Sequence, residues 1–336
     1  MTVLVDSKAM ISACILCGKP KSTTFAYPKE SQSELFISLE AAHCVGCDFG
    51  WVVNKIGHER LVEYYSREYP LFAGRSQKPP PSGYFPKIDL PPDPARDWLK
   101  WLIETKEPEY AHSFDHMHKP HRQMRHLCLA AATFRQLHDP PPTTLLDIGT
   151  GFGNCLYLAK TFFWPDINLL AHEPDETMAP YLNHIGARRI DLKKIQTASV
   201  EMVFSSQSLE HLEADEALEV MGEIKRILKP RGVLSLEVPN VSFKKHAGFL
   251  EMNHEPHLLF FSIRALKKLV EKCGLKIHLL ETNSPIPEMF GITKLKKFRE
   301  KLSHGARVGS RTLKFKKQSW RIHPNGGSIL AICSKQ

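Results

Sequence analysis

The sequence predicts an α/β protein in which helices cover a mainly parallel sheet, with a small cysteine-rich unit at the N-terminus. From residue 143 onward, short apolar segments alternate with amphipathic ones, as in repeated strand–helix–strand units. The first apolar segment leads into three glycines at alternate positions, Gly149, Gly151 and Gly153. Two CxxC pairs near residues 14 and 44 mark the N-terminal unit.

Length and composition exclude several classes of protein. The chain has 336 residues, of which 42% are hydrophobic, which is ordinary for a globular protein of more than one domain. No segment approaches the roughly 18 apolar residues of a membrane span. The first residues show no secretory signal, so we expect a cytoplasmic protein. In a reducing compartment, CxxC pairs indicate metal binding or redox chemistry rather than disulfides.

Proline divides the chain into three predicted units. Seven prolines between Pro79 and Pro94 exclude a helix or a central strand there. We therefore predict a ribbon-like zinc-binding domain over residues 1–75 and a proline-rich linker and helical segment over 76–139. Five histidines between His112 and His126 belong to this segment, and an amphipathic helix explains them better than a second metal site does. Residues 140–336 form the third unit.

The third unit contains a regular series of elements. Its clear strands are predicted at 143–149, 167–173, 200–206, 232–240, 275–281 and 328–334, with a weak strand at 188–191. Helices are predicted at 155–163, 213–228 and 262–273. Residues 229–232 are expected to end the second of these helices, and Gly274 to cap the third.

The two CxxC pairs are separated by 26 residues. Four thiolates make a closed tetrahedral Zn²⁺ site, and such a site is structural because no ligand position stays open. We therefore predict a structural zinc ion, with Leu35–Ile37 as a hairpin strand between the pairs and Lys19 and Lys21 offsetting the thiolate charge. Redox or incidental pairs are the alternative. The predicted ligands are Cys14, Cys17, Cys44 and Cys47.

The glycine segment predicts a ligand that carries a nucleoside. Glycines let the backbone turn sharply and approach a ligand, and the following helix N-terminus favours an anionic group. The next predicted strand ends at Glu173, whose carboxylate can accept hydrogen bonds from ribose hydroxyls. No Gly-Lys-Ser/Thr follows, so the segment is not a P-loop. A plain strand–helix turn is the alternative interpretation.

These segments resemble the class I S-adenosylmethionine-dependent methyltransferases. The run from Asp147 to Gly153 looks like the family's first motif, and His172-Glu173-Pro174-Asp175 looks like its second. Residues 206–212, 227–234 and 255–275 resemble later segments of one large subgroup, many of whose bacterial members carry a zinc-ribbon head. The resemblance implies a Rossmann-like seven-stranded methyltransferase sheet with an N-terminal zinc-ribbon domain.

The resemblance also implies how the cofactor is held. Gly149 and Gly151 would admit its methionine end, while Asp147 would hold the glycine turn or receive the amino group. Glu173 would hold the ribose, and Gln207 would face the cofactor or substrate. The third motif is blurred, and Asp191 is the candidate that fills it. The predicted residues contacting S-adenosyl-L-methionine are Asp147, Gly149, Gly151, Gly153, Glu173, Asp191 and Gln207.

Methyl transfer to a hydroxyl requires a base, and histidine is the commonest one because its pKa lies near neutrality. His211 follows the predicted strand at 200–206, on the edge where open α/β sheets bind ligands. His254 and His257 lie in the loop before the last helix. Each of the three could instead be structural, and Glu210 is an alternative base.

The net charge of +9 is concentrated in one segment. Residues 294–321 hold eleven Lys and Arg and a single acid, Glu300, within an expected insertion at about 284–326. If strand six is parallel and strand seven antiparallel, as in the resembled fold, this insertion overhangs the ligand edge. It would attract a phosphate, a nucleic acid or an acidic membrane surface. A segment that only maintains solubility is the alternative.

These features favour a methyltransferase acting on a hydroxyl or carbon of a sugar, nucleotide sugar, glycan or lipid-linked precursor. The expected partner is an anionic small molecule or glycan, with peripheral membrane contact as a further expectation. The second prediction is an RNA methyltransferase whose zinc ribbon and basic insertion hold the phosphate backbone. No Asp/Asn-Pro-Pro motif follows the strand at 200–206, which argues against methylation of exocyclic amines. The third prediction is a protein that binds the cofactor, has no enzymatic activity and serves as a partner in an assembly.

Overall fold

The computed structural model describes residues 13–21, 23–26, 33–37, 39–69, 119–241, 257–283 and 328–336. The first strands are β1 (Thr23–Ala26), β2 (Glu40–Cys44) and β3 (Phe49–Val52). The later strands are β4 (Thr144–Ile148), β5 (Asn168–His172), β6 (Arg188–Arg189), β7 (Val200–Ser206), β8 (Leu228–Pro239), β9 (Leu259–Phe261), β10 (Leu275–Asn283) and β11 (Ser328–Lys335). The α-helices are α1 (His58–Glu63), α2 (Lys119–Leu137), α3 (Asn154–Phe162), α4 (Ala179–His184), α5 (Ala214–Ile227) and α6 (Ile263–Lys272).

Seven strands form one sheet in the order β10-β11-β8-β7-β4-β5-β6. Strands β8, β7, β4, β5 and β6 are mutually parallel, and β11 is antiparallel to both of its neighbours, β8 and β10. The carboxyl ends of β4, β5 and β7 therefore meet at one edge. The α/β class predicted from the sequence, with seven strands including the weak one at β6, is confirmed.

Alternate residues of the sheet pack against two helical layers. Leu146 on β4 belongs to the core under α5 and α6, whereas its neighbour Leu145 packs under α2 and α3. This is the alternation expected for a sheet covered on both faces. Ser262 accepts a bond from Ala265 N at the start of α6, and Gly274 follows its end with φ +69°. Among the described residues, no helix is long and apolar enough to cross a membrane.

A second sheet of four antiparallel strands has the order β1-β2-β3-β9. Its last strand comes from the other half of the chain, since Phe49 pairs with Phe261 and Trp51 with Leu259. On its far side β9 meets the end of β8, where Val241 N donates to Phe261 O at 2.7 Å. The division into units at residues 75 and 139 stays a prediction, because residues 70–118 lie outside the described part.

Two local expectations were wrong. Glu34–Phe36 is a 3₁₀ helix rather than a strand, because Ser33 caps it by accepting from Leu35 N at 3.3 Å, and Leu35 and Phe36 turn into the core. Strand β8 also begins at Leu228, four residues earlier than expected. Leu228 pairs with Val200, and the bulge that follows holds Arg231 at φ +62°.

Candidate functional site

The glycine turn follows β4 at the carboxyl edge of the sheet. Gly149, Gly151 and Gly153 all have left-handed backbones, with φ of +67°, +53° and +80°. A β-carbon on Gly149 would lie 2.4 Å from Ser208 Cβ, so no larger residue fits there. Among the described residues, nothing lies within 4 Å of a β-carbon position on Gly151. The turn is closed on one side and has room for a ligand at Gly151.

Glu173 joins the turn to the end of β5. Its carboxylate accepts from Gly151 N at 2.7 Å and from Asp175 N at 3.0 Å. Arg189 on β6 donates to the Glu173 carbonyl at 2.8 Å and forms an ion pair with Glu176. Two residues that the sequence places 22 positions apart are thus held in direct contact at the predicted cofactor site.

Asp147 is buried at the end of β4 and accepts a 2.8 Å bond from Thr150 Oγ1. This bond holds the glycine turn, one of the two roles predicted for the residue. Burial, aided by the negative charge of Glu173, raises the pKa of Asp147 to about 7. Close to neutral pH, a cation beside this carboxyl would favour its ionised form.

Gln207 lies just beyond β7 with a left-handed backbone at φ +55°. Its backbone N–H donates to Glu237 O at 2.9 Å. Its side-chain nitrogen Nε2 is buried and has no hydrogen-bond partner among the described residues. A buried donor of this kind favours a ligand acceptor. Asp191 is exposed after β6, where it accepts from Lys193 N at 2.9 Å and caps a short 3₁₀ helix.

Glu210, His211 and His257 form a compact cluster at the same edge. Glu210 and His211 lie on a 3₁₀ turn directly after β7, and His257 precedes β9. Each imidazole Nε2 is 4.0 Å from Glu210 Oε1, and the two rings have centroids 4.8 Å apart. Leu258 N donates to Glu210 O at 2.7 Å, which fixes the two segments together. The structure therefore brings two of the three predicted base candidates to one place, while His254 lies outside the described residues.

The segment after β3 closes around this cluster. Glu213 accepts bonds from the backbone nitrogens of Ile56 and Gly57, and Lys55 forms an ion pair with Asp215. Tyr65 lies edge-on to His211, with ring centroids 5.7 Å apart. The N-terminal sheet is thus attached to the loop that carries the base candidates.

A buried acid on β8 was missed in the sequence. Glu237 accepts from Ser206 Oγ at 2.5 Å and from Ser328 Oγ at 2.6 Å, and His126 Nε2 lies 3.8 Å away. The signal was a single charged residue, Glu237, within the otherwise uncharged residues 232–240. These polar groups lie where β7 and β8 end, beside Gln207.

The four cysteine sulfurs form a second cluster, in which all lie within 4.8 Å of one another. The two CxxC turns have the same geometry. Gly18 N donates to Cys14 O and Asp48 N to Cys44 O, both at 2.7 Å, and the two donors have φ of +70° and +55°. Each turn therefore presents its two sulfurs in the same way.

Lys268 of α6 lies beside this cluster, with its Nζ 3.3 Å from Cys47 Sγ. A cation at this place offsets thiolate charge, a role that the sequence analysis gave to Lys19 and Lys21. The sequence around the CxxC pairs could not predict this contact, because Lys268 lies more than 200 residues further along the chain. The basic insertion at about 284–326 lies outside the described residues.

Residues 116–280 match a family described as a methyltransferase domain. No curated protein matches the chain in sequence. A SAM dependent methyltransferase from Archaeoglobus fulgidus is similar in structure, at 18% identity and a TM-score of 0.41, over 62% of this chain and 94% of that one. Haemonchus contortus phosphoethanolamine N-methyltransferase 2, in complex with S-adenosyl-L-methionine, has 16% identity and a TM-score of 0.42, over 60% of this chain and 51% of that one. Both likenesses are distant.

A sheet of this strand order, with its glycine turn bound by the acid of the next strand, is the framework of the class I S-adenosylmethionine-dependent methyltransferases, and residues 116–280 of this chain form a methyltransferase domain on it. Its methyltransferase domain includes the matched residues 116–280, which contain the glycine turn, Glu173 and the histidine cluster. The chain is an enzyme that uses S-adenosyl-L-methionine.

Proposed function

We propose that the enzyme methylates a hydroxyl or carbon of a sugar, nucleotide sugar, glycan or lipid-linked precursor. The observation that carries the proposal is the cluster of Glu210, His211 and His257 at the edge that also holds the glycine turn. Ser208, which contacts Gly149, belongs to the same loop as the cluster. A group that removes a proton is thereby held next to the cofactor.

The chain's residues fit the cofactor on two observations. Within the described part of the chain there is room beside Gly151, and the buried Nε2 of Gln207 has no hydrogen-bond partner there. We assign Gly149, Gly151 and Gly153 to the approach of its methionine end and Glu173 to the ribose. Asp147 faces the amino group, and Asp191 lies on the adenine side. When bound, S-adenosyl-L-methionine supplies a methyl group on a positively charged sulfur.

The histidine cluster removes the acceptor's proton. His211 and His257 are each partly exposed, at 20% and 16% of the side chain, whereas Glu210 is fully buried. An imidazole can therefore meet an acceptor while the buried carboxylate stabilises the protonated ring. Tyr65 and Leu258 keep the rings and the carboxylate in place.

A hydroxyl-rich acceptor suits the polar groups at this edge. Gln207, Ser206 and Glu237 gather where β7 and β8 end, and a site built to bond hydroxyls discriminates strongly against ligands that lack them. The eleven cations of residues 294–321 add attraction for a phosphate-bearing acceptor or an acidic membrane. Attraction of this kind would also suit RNA, which is the alternative substrate.

We also propose that Cys14, Cys17, Cys44 and Cys47 bind a structural zinc ion. The four sulfurs, the paired turns and Lys268 support this assignment. Such a site leaves no ligand position open for catalysis. Its role is to hold the sheet that carries β3 and, through β3, the strand that follows His257.

The proposed acceptor class is tested with methyl-labelled S-adenosyl-L-methionine and a host lysate, with half of each sample treated with ribonuclease. Label that resists ribonuclease and migrates with nucleotide sugars, glycans or lipid-linked material supports the proposal. Label that becomes acid-soluble after ribonuclease overturns it in favour of RNA. A Gly149→Val variant, which cannot form the turn, is the control for background labelling.

A further inference from the structure

We propose that Glu210, His211 and His257 together bind one divalent first-row transition-metal ion that holds the acceptor. The inference deepens the proposed function and rests on it for the identity of the acceptor. It concerns a site distinct from the cysteine cluster in both place and ligand chemistry.

The distances within the cluster are too long for direct hydrogen bonds, and small rotations of the three side chains would bring one atom of each onto a shared ion. Nε2 of each imidazole lies 4.0 Å from the same oxygen, Glu210 Oε1. Hydrogen bonds between nitrogen and oxygen have lengths of about 2.7–3.2 Å. Two ligand atoms that are each about 2.1 Å from a metal ion lie up to about 4.2 Å apart. One ligand atom from each of the three residues lies within 4.8 Å of the others.

Burial also favours a cation at this place. The Glu210 side chain has 0% exposure, and a buried carboxylate is costly unless a charge compensates it. The neighbouring imidazoles are neutral when they act as metal ligands, so a bound ion would supply positive charge beside the carboxylate in place of a protonated ring. Both rings retain some exposure, which leaves one side of the site open to an incoming ligand.

The three ligands come from segments that the fold holds firmly together. Glu210 and His211 are adjacent on the turn after β7, and Leu258 N bonds to Glu210 O at 2.7 Å beside His257. Strand β9, which starts at Leu259, is paired with β3. The backbone that carries the three ligands is therefore fixed before any ion arrives, which reduces the cost of binding.

Two histidines and one carboxylate leave coordination positions open for an exogenous ligand. An acceptor hydroxyl at such a position would be oriented by the ion, and its pKa would fall, so that its proton could pass to solvent on the open side of the site. With the ion bound, the two imidazoles act as ligands, and the ion takes over the role that a metal-free imidazole has as the base. An acceptor with two neighbouring hydroxyls, as in a sugar, can occupy two positions at once. The metal thus connects the cluster to the proposed acceptor class.

The test is a titration of the full-length, zinc-loaded protein with Co²⁺, followed by visible absorption. Nitrogen and oxygen ligands give a weak d–d band, whereas entry into the cysteine cluster would add a thiolate charge-transfer band. We expect one equivalent of Co²⁺ per chain without that second band. In Glu210→Gln and His257→Gln the affinity should fall at least about tenfold. His278→Gln, a substitution of the same type on β10, should bind as the wild type does.

Absence of a saturable d–d band, or an unchanged titration in Glu210→Gln, overturns the metal site. Circular dichroism and S-adenosyl-L-methionine affinity establish that each variant is folded, and the isosteric Glu210→Gln keeps the core filled. A protein that transfers methyl groups but takes no Co²⁺ refutes the metal site alone. A protein that takes Co²⁺ in the expected manner but transfers nothing supports the site and refutes the proposed function.

Discussion

Ser208 occupies the space that a β-carbon on Gly149 would need, with the two positions only 2.4 Å apart. The contact joins the glycine turn after β4 to the loop after β7, which carries Glu210 and His211. A second bond, between Ser205 Oγ and Ser208 Oγ at 2.7 Å, fixes the serine. This close approach therefore connects the cofactor site to the base candidates.

Gly149→Ala should disrupt cofactor binding because the new methyl group meets Ser208 and the backbone has φ +67°. We expect affinity for S-adenosyl-L-methionine to fall at least about tenfold and the free energy of unfolding to fall by about 1–3 kcal/mol. Isothermal titration calorimetry and thermal melting measure the two effects. Gly222→Ala on α5, where nothing lies within 4 Å, should leave the affinity unchanged.

Affinity for the cofactor should rise with pH because the pKa of Asp147 is raised to about 7. The ionised carboxylate attracts the cofactor's cationic amino group. At pH 6 only about a tenth of the Asp147 side chains are ionised. Wild type should therefore bind more tightly at pH 8 than at pH 6. In Asp147→Asn this dependence should disappear. If the variant shows the same pH dependence as the wild type, Asp147 does not bind the amino group, and its role is limited to the hydrogen bond with Thr150.

His211→Gln and His257→Gln should lower turnover at saturating cofactor, because a base contributes about 10²–10⁴-fold to such a reaction. Cofactor affinity should change little, which separates a base from a residue that only supports the fold. His278→Gln is the control. A loss of less than about threefold in either variant removes that histidine from the list of bases.

Removal of the proposed zinc should affect catalysis more than cofactor binding. Loss of the metal loosens β3, and β9 and the adjacent His257 lose their partner strand. In Cys44→Ser we expect a lower kcat, a near-normal cofactor affinity, and a melting transition of the N-terminal sheet at reduced temperature. Elemental analysis should find one zinc per wild-type chain, and Cys273→Ser, whose sulfur lies outside the cluster, should retain it.

Neutralising Lys314, Lys316 and Lys317 should raise KM for an anionic acceptor and flatten its dependence on salt. The expected change is in KM rather than kcat, because the segment guides the substrate rather than reacting with it. Steady-state kinetics at two ionic strengths measure it. If KM is unchanged in the triple variant, we would conclude that residues 294–321 contribute to solubility and not to substrate binding.

Local pattern was sufficient to predict the seven-stranded sheet and its glycine turn. Apolar strands, glycines and caps such as Ser262 are signals carried by neighbouring residues, so they can be read along the chain. Glu173 could be placed at the turn because the order of strand, turn, helix and strand fixes where the second strand ends. The same reasoning located His211 at the ligand edge.

Features made by distant parts of the chain could not be predicted. Leu259–Phe261 was assigned to the methyltransferase part, and no local signal shows that it completes the sheet of β1, β2 and β3. Lys268, which lies on the helix after β9, contacts Cys47 although 221 residues separate the two. The error at Leu35–Ile37 has a local cause, because Ser33 and Glu34 followed by apolar residues suit a capped helical turn as well as a strand.

The composite origin of the N-terminal sheet has a consequence for how the chain is made. Strand β3 leaves the ribosome long before β9, so until then its outer edge has no neighbour and can pair with another molecule. A fragment that stops near residue 75 would carry this open edge permanently. Once β9 has been synthesised, it covers the edge of β3 and prevents newly made chains from associating through that edge.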